Sequence, residues 1–81
     1  MTKSATIFDE KGNKTYEVDS NGNERWYDYD GKLTHYRNSK GEEKWYNSIG
    51  QVIYEKYPNG LEYRYERDSR GNPICVTVWT L

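Results

Sequence analysis

The stretch Trp26-Tyr-Asp-Tyr-Asp-Gly31-Lys-Leu-Thr-His-Tyr36-Arg-Asn-Ser-Lys-Gly41-Glu-Glu-Lys-Trp45-Tyr46-Asn-Ser-Ile-Gly50-Gln-Val-Ile-Tyr54 states one phrase three times. A short aromatic run meets a polar tripeptide, closes on glycine and restarts. The same phrase continues on both sides. Glycines stand at 12, 22, 31, 41, 50, 60 and 71, so spacings of 10 and 9 nearly alternate. A double unit of 19 residues runs from Gly12 to Gly31 to Gly50, and again from Gly22 to Gly41 to Gly60. A period of 9 or 10 holds one strand and one turn.

The turn chemistry is consistent along the chain. Asp9-Glu-Lys-Gly12, Asp19-Ser-Asn-Gly22, Asp28-Tyr-Asp-Gly31, Asn38-Ser-Lys-Gly41, Asn47-Ser-Ile-Gly50, Tyr57-Pro-Asn-Gly60 and Asp68-Ser-Arg-Gly71 all end in glycine. Six of these seven begin with Asp or Asn, whose side chain can accept the backbone N–H two residues on. That pattern specifies a type I turn followed by a left-handed residue, the three-residue hairpin loop. Eight strands are expected, at about 3–8, 13–18, 23–28, 32–37, 42–47, 51–57, 61–67 and 72–80.

If all loops are alike, the residue before each pairs with the residue after it. Glu17 then meets Arg25, Asp28 meets Lys32, Arg37 meets Glu43 and Lys56 meets Glu62, as opposite charges should. Tyr16 meets Trp26, Trp45 meets Ile53, and Glu43 falls unfavourably opposite Glu55. His35 is placed opposite Trp45 and Arg25, and Cys75 opposite Tyr65. Alternation gathers Phe8, Tyr16, Val18, Trp26, Tyr36, Tyr46, Val52 and Tyr54 on one face, and Ile7, Tyr27, Leu33, Trp45, Ile53, Tyr57, Tyr63 and Tyr65 on the other. Charged residues interrupt both. The expected fold is all-β: one domain over 1–81, an antiparallel meander of about eight short strands in a twisted, open, near single-layer sheet built from hairpin repeats.

Composition fits a thin sheet. Only 33% of the 81 residues are apolar, yet nine are Tyr and three Trp, too many rings for a disordered chain. Twelve Lys plus Arg balance thirteen Asp plus Glu. No basic stripe suits a phosphate backbone, so no direct nucleic-acid partner is expected. The N-terminal residues contain no apolar signal core and no stretch nears the ~18 apolar residues of a membrane helix, so a cytoplasmic location without membrane contact is expected.

Little in the chain points to catalysis. His35 is the only histidine and Cys75 the only cysteine, and the expected register keeps them apart. Metal sites need clustered ligands, and the Asp-x-Asn/Asp-Gly turns lack the spacing and terminal Glu of calcium loops. The chain is therefore read as no enzyme, with no cofactor and no metal. The aromatic rows are foremost packing, and Trp26, Tyr36, Tyr46, Tyr54 and Arg64 are the candidate partner-binding residues, because Tyr, Trp and Arg dominate interface hot spots. The last strand, containing Ile74, Val76, Val78 and Trp79, is β-branched, apolar and uncharged. A bare edge of that kind is usually covered, so a homodimer through it is expected.

Trp26-Tyr-Asp-Tyr-Asp-Gly31-Lys-Leu33 resembles the YD repeats of RHS-type proteins, whose units carry Tyr-Asp, two residues, Gly and an aliphatic. Residues 63–74 and 46–52 are weaker copies, and the resemblance spans about residues 8–76. It implies strand–turn–strand units, while four double units are too few for the shells that family builds around cargo. Short chains of this type also look like small phage or mobile-element repeat proteins. Lys44-Trp45-Tyr46-Asn-Ser-Ile-Gly50 is similar to choline-binding cell-wall repeats, in which several Trp cage a cation.

The resulting expectation is a non-catalytic protein-binding repeat protein. Its role would be that of a small intracellular inhibitor or immunity-type factor, phage-encoded and anti-defence, that blocks a partner protein through its sheet surface. The alternatives are a carbohydrate or choline-type binding module, and a structural fragment of a larger YD-repeat protein.

Overall fold

The computed structural model describes residues 3–79, with the side chains of residues 73 and 75–79 outside the description. It contains eight strands: β1 (Ala5–Phe8), β2 (Lys14–Val18), β3 (Glu24–Tyr27), β4 (Leu33–Arg37), β5 (Glu43–Tyr46), β6 (Val52–Lys56), β7 (Glu62–Arg67) and β8 (Pro73–Trp79). They form one sheet in chain order, each strand antiparallel to the next.

All seven loops close in the same way. Each glycine has a φ between 82° and 92°, and its N–H donates to the carbonyl three residues back at 2.9–3.1 Å. In the six loops led by Asp or Asn the leading side chain fixes the turn from inside. Asp19 Oδ1, for example, accepts the N–H of Asn21 at 2.9 Å and of Asn23 at 3.1 Å. The same three-residue loop thus recurs wherever Asp or Asn leads and Gly ends the phrase.

The ladders, however, are of two kinds. β2·β3, β4·β5 and β6·β7 are regular, and the pairs Glu17·Arg25, Tyr16·Trp26, Arg37·Glu43 and Lys56·Glu62 stand where the spacing put them. β1·β2, β3·β4, β5·β6 and β7·β8 each skip one residue, at Thr15, Thr34, Ile53 and Ile74 respectively. The bulge corrects several expected pairs. Trp45 meets Tyr54, not Ile53; Glu43 meets Lys56 while Lys44 takes Glu55. His35 lies opposite Trp45 as expected, but on its other side it meets Trp26, and Arg25 pairs with Tyr36. Cys75 stands opposite Glu66 rather than Tyr65.

The physical reason is parity. A strand leaves one loop hydrogen-bonded to its left neighbour and enters the next bonded to its right, and backbone groups alternate sides along a strand. That requires an odd number of steps. Asn23 to Asp28 is five steps (28 − 23), and β3 is regular; Lys32 to Asn38 is six (38 − 32), so β4 must set one residue aside. The alternating glycine spacings of 9 and 10 record this difference.

Among the described residues no hydrophobic side chain is buried, and the Cα envelope measures 37 × 31 × 14 Å. The sheet is a single layer with half-buried side chains on both faces. Its cohesion comes from cross-strand neighbours, not from a core.

Candidate functional site: the two sheet faces

One face carries a row of rings in register. Tyr16 lies against Trp26 (centroids 5.2 Å), Trp26 stacks on His35 (4.2 Å, 17°), His35 stacks on Trp45 (4.4 Å, 11°), and Trp45 tilts onto Tyr54 (4.9 Å). Register continues the row outward to Ile7 on β1 and to Arg64 on β7. Beside it runs a charged row, Glu24, Arg37, Glu43, Lys56 and Glu62, in cross-strand order.

The two rows are tied together. Tyr16 and Tyr54 donate their hydroxyls to Glu24 and Glu62, and His35 Nε2 meets Glu43 Oε2 at 2.8 Å. Arg37 Nε donates to Glu24 at 2.8 Å. The Tyr16 hydroxyl and the Arg37 guanidinium together hold the Glu24 carboxyl below its ordinary value, while the same bond pushes the Tyr16 phenol up. Row position 16, 35, 54 and acceptor position 24, 43, 62 each follow the 19-residue unit.

The opposite face is laid out differently. Tyr27 donates to Glu17, with Lys14 Nζ 4.7 Å from the Tyr27 ring centroid; burial and the Glu17 carboxylate push that phenol up to about 12. The Arg25 guanidinium lies over Tyr36 at 5.2 Å. Glu55, at 9% exposure, is a hub: it accepts from Tyr65 and from Tyr57 (3.0 Å) and lies 3.6 Å from Lys44 Nζ. The Tyr65 phenol is pushed up to about 12 by its bond to Glu55 and by burial.

The five candidate partner-binding residues therefore do not share a face. Trp26, Tyr54 and Arg64 belong to the ring row, whereas Tyr36, between Arg25 and Lys44, and Tyr46, beyond Lys44 on the same strand, belong to the other side. The reason is the bulge at Thr34, which reverses the alternation of β4 relative to a regular strand. His35 and Trp45 take the vacated places in the row. Their 19-residue spacing from Tyr16 and from Trp26 was the signal for them.

The ring row ends at Tyr54, whose next neighbour is Arg64. There a groove of about 490 Å³ opens between Trp45, Ile53, Tyr54, Arg64, Tyr65 and Glu66. Of the expected edge residues, Ile74 is exposed and is the bulge residue of β8; the side chains of Val76, Val78, Trp79 and Cys75 lie outside the described residues. Among the described residues no three His, Cys, Asp or Glu side chains are grouped to hold a metal ion, and no helix is long and apolar enough to cross a membrane.

No family model matches the chain, and no curated protein matches it.

Proposed function

We propose that this chain is a non-catalytic binding protein that presents the ring-row face to another protein and blocks it, acting as an inhibitor or immunity-type factor in the cytoplasm. The supporting observation is the groove where the row stops. It sets Trp45, Tyr54 and Arg64, three residues of the types that dominate interface hot spots, around a concavity on a sheet braced by cross-strand ring contacts. A projecting apolar or aromatic side chain of the partner fits that concavity.

The same geometry disfavours the glycan or choline reading. Stacking on a sugar, or caging a cation, needs an open ring face. Both faces of His35 are covered by Trp26 and Trp45, and these indoles lean on Tyr16 and Tyr54 with their outer sides.

The test is affinity capture from lysate with three baits: the wild type, Y54A/R64A on the ring-row face, and Y36A on the opposite face. A specific protein retained by the wild type and by Y36A but lost with Y54A/R64A is the expected result. Equal loss with Y36A, or retention of the wild type on choline or polysaccharide resin that W45A abolishes, refutes the reading.

A further inference from the structure

Among the described residues the outer strands β1 and β8 each have one neighbour, and their open sides are equivalent to sides that are paired inside the sheet. β3, β5 and β7 use the side that β1 leaves open, and β2, β4 and β6 use the side that β8 leaves open. Between them these strands build the three regular ladders. Following the ring row across the sheet, Ile7–Tyr16–Trp26–His35–Trp45–Tyr54–Arg64, the next position is Thr77. Register thus sets Thr77, Val78 and Trp79 where Tyr16, Glu17 and Val18 stand in the first regular ladder. It sets Ile7, Thr6 and Ala5 where Trp26, Arg25 and Glu24 stand.

We infer that β8 of one copy pairs head to tail with β1 of a second copy, in the register of the regular ladders. Thr77 then meets Ile7 of the second copy, Val78 meets Thr6, and Trp79 meets Ala5.

Three observations select this occupant. The internal ladder is repeated three times with one geometry, so the contact continues an interface already built. Every internal ladder of this kind carries opposite charges face to face, Glu17·Arg25, Arg37·Glu43 and Lys56·Glu62, whereas both outer strands are uncharged over Ala5–Phe8 and Pro73–Trp79. Edges without charge lack the usual protection against pairing. Finally, a symmetric β8–β8 pair would leave β1 bare, with Ile7 54% and Phe8 59% exposed. A head-to-tail contact uses one edge of each kind, and because it is heterologous it can recur from copy to copy until every interior copy has both edges covered.

Backbone alternation supplies the test. Asp19·Asn23 is a bonded pair, so Glu17·Arg25 is the next bonded pair of that ladder. By equivalence the N–H groups of Thr6 and Val78 point to the open sides. Proline there removes an outward donor and leaves the inner ladder intact. The 81-residue chain and the variants T6P and V78P are compared by sedimentation velocity over a hundredfold concentration range, with far-UV circular dichroism as the folding control. The wild type is expected to gain mass with concentration, each variant alone to stay monomeric, and an equimolar mixture to give a species of twice the monomer mass. A second pair, T6K and V78K, replaces any proline variant that loses its β signal. A monomeric wild type, a monomeric mixture, or T6P dimerising alone through β8 overturns the inference.

Discussion

His35 Nε2 and Glu43 Oε2 meet at 2.8 Å across the β4·β5 ladder, eight residues apart in sequence. Tyr16 with Glu24 and Tyr54 with Glu62 make the same bridge at the same offset, one 19-residue unit before and after. The three donors occupy one structural position, and histidine is the exception within it. Replacing His35 by Tyr should therefore keep the ring row and the carboxylate contact. The expected change in unfolding free energy by urea titration is within ~1 kcal/mol, the scale of one aromatic pair. H35A opens the row between two indoles and should destabilise by more than H35Y. Equal losses for both would mean that the stack contributes nothing.

Tyr27 and Tyr65 give the sheet an alkaline limit. Both phenols are pushed from their ordinary value to about 12, by burial and by the carboxylates of Glu17 and Glu55 beside them. A raised folded value means that the folded sheet favours the protonated phenol. The associated stability is complete below pH ~10 and is lost as pH rises from there through about 12. Ultraviolet titration of the nine tyrosines should show a late phase that Y27F and Y65F each reduce. If all phenols titrate together near pH 10, the two bonds do not form in solution.

Gly31 has a φ of +82° and nothing within 4 Å of the place a Cβ would take, so its backbone angle alone resists a side chain. G31A should cost about 1–2 kcal/mol, the penalty of a left-handed L-residue. D-alanine at the same site, introduced by chemical synthesis, suits that φ and should stabilise by about 0.4–1 kcal/mol through the unfolded chain. At Gly71 a Cβ would also stand 2.5 Å from Gln51 Nε2, which donates to the Gly71 carbonyl at 3.3 Å. Thermal melts of G71A with and without Q51A separate the two contributions.

Much of this architecture was legible because Asp-x-x-Gly and Asn-x-x-Gly carry their own geometry: the side chain and the glycine fix the turn without tertiary help. The regular ladders follow directly, and with them Glu17·Arg25 and Arg37·Glu43. The faces did not follow, since they depend on Thr15, Thr34 and Ile53 being set aside, and nothing local marks a Thr or Ile as a bulge. Only the count between turns does. Strict alternation therefore sets Tyr36 and Tyr46 beside Trp26, where the bulge instead brings His35 and Trp45, the middle of the ring row. The Glu55 hub was equally hidden, because its three partners come from β5, β7 and the loop after β6.

The parity argument makes its own prediction. Thr34 is the extra residue that β4 sets aside, and its hydroxyl donates to the Trp26 carbonyl at 3.2 Å. Deleting Thr34 leaves five steps between Lys32 and Asn38. That odd number lets Tyr27·Leu33 and Trp26·His35 persist in a regular ladder. The expected cost is about 1 kcal/mol for the lost hydrogen bond. Deleting Lys44 from regular β5 instead leaves four steps between Glu42 and Asn47 and turns the bonded side of the strand the wrong way. One of its ladders must then break, with the stack of His35 on Trp45. Tryptophan fluorescence and urea midpoints should show a folded, slightly weakened protein for the first deletion and loss of the cooperative transition for the second. If both deletions unfold the sheet alike, step parity does not govern the bulges.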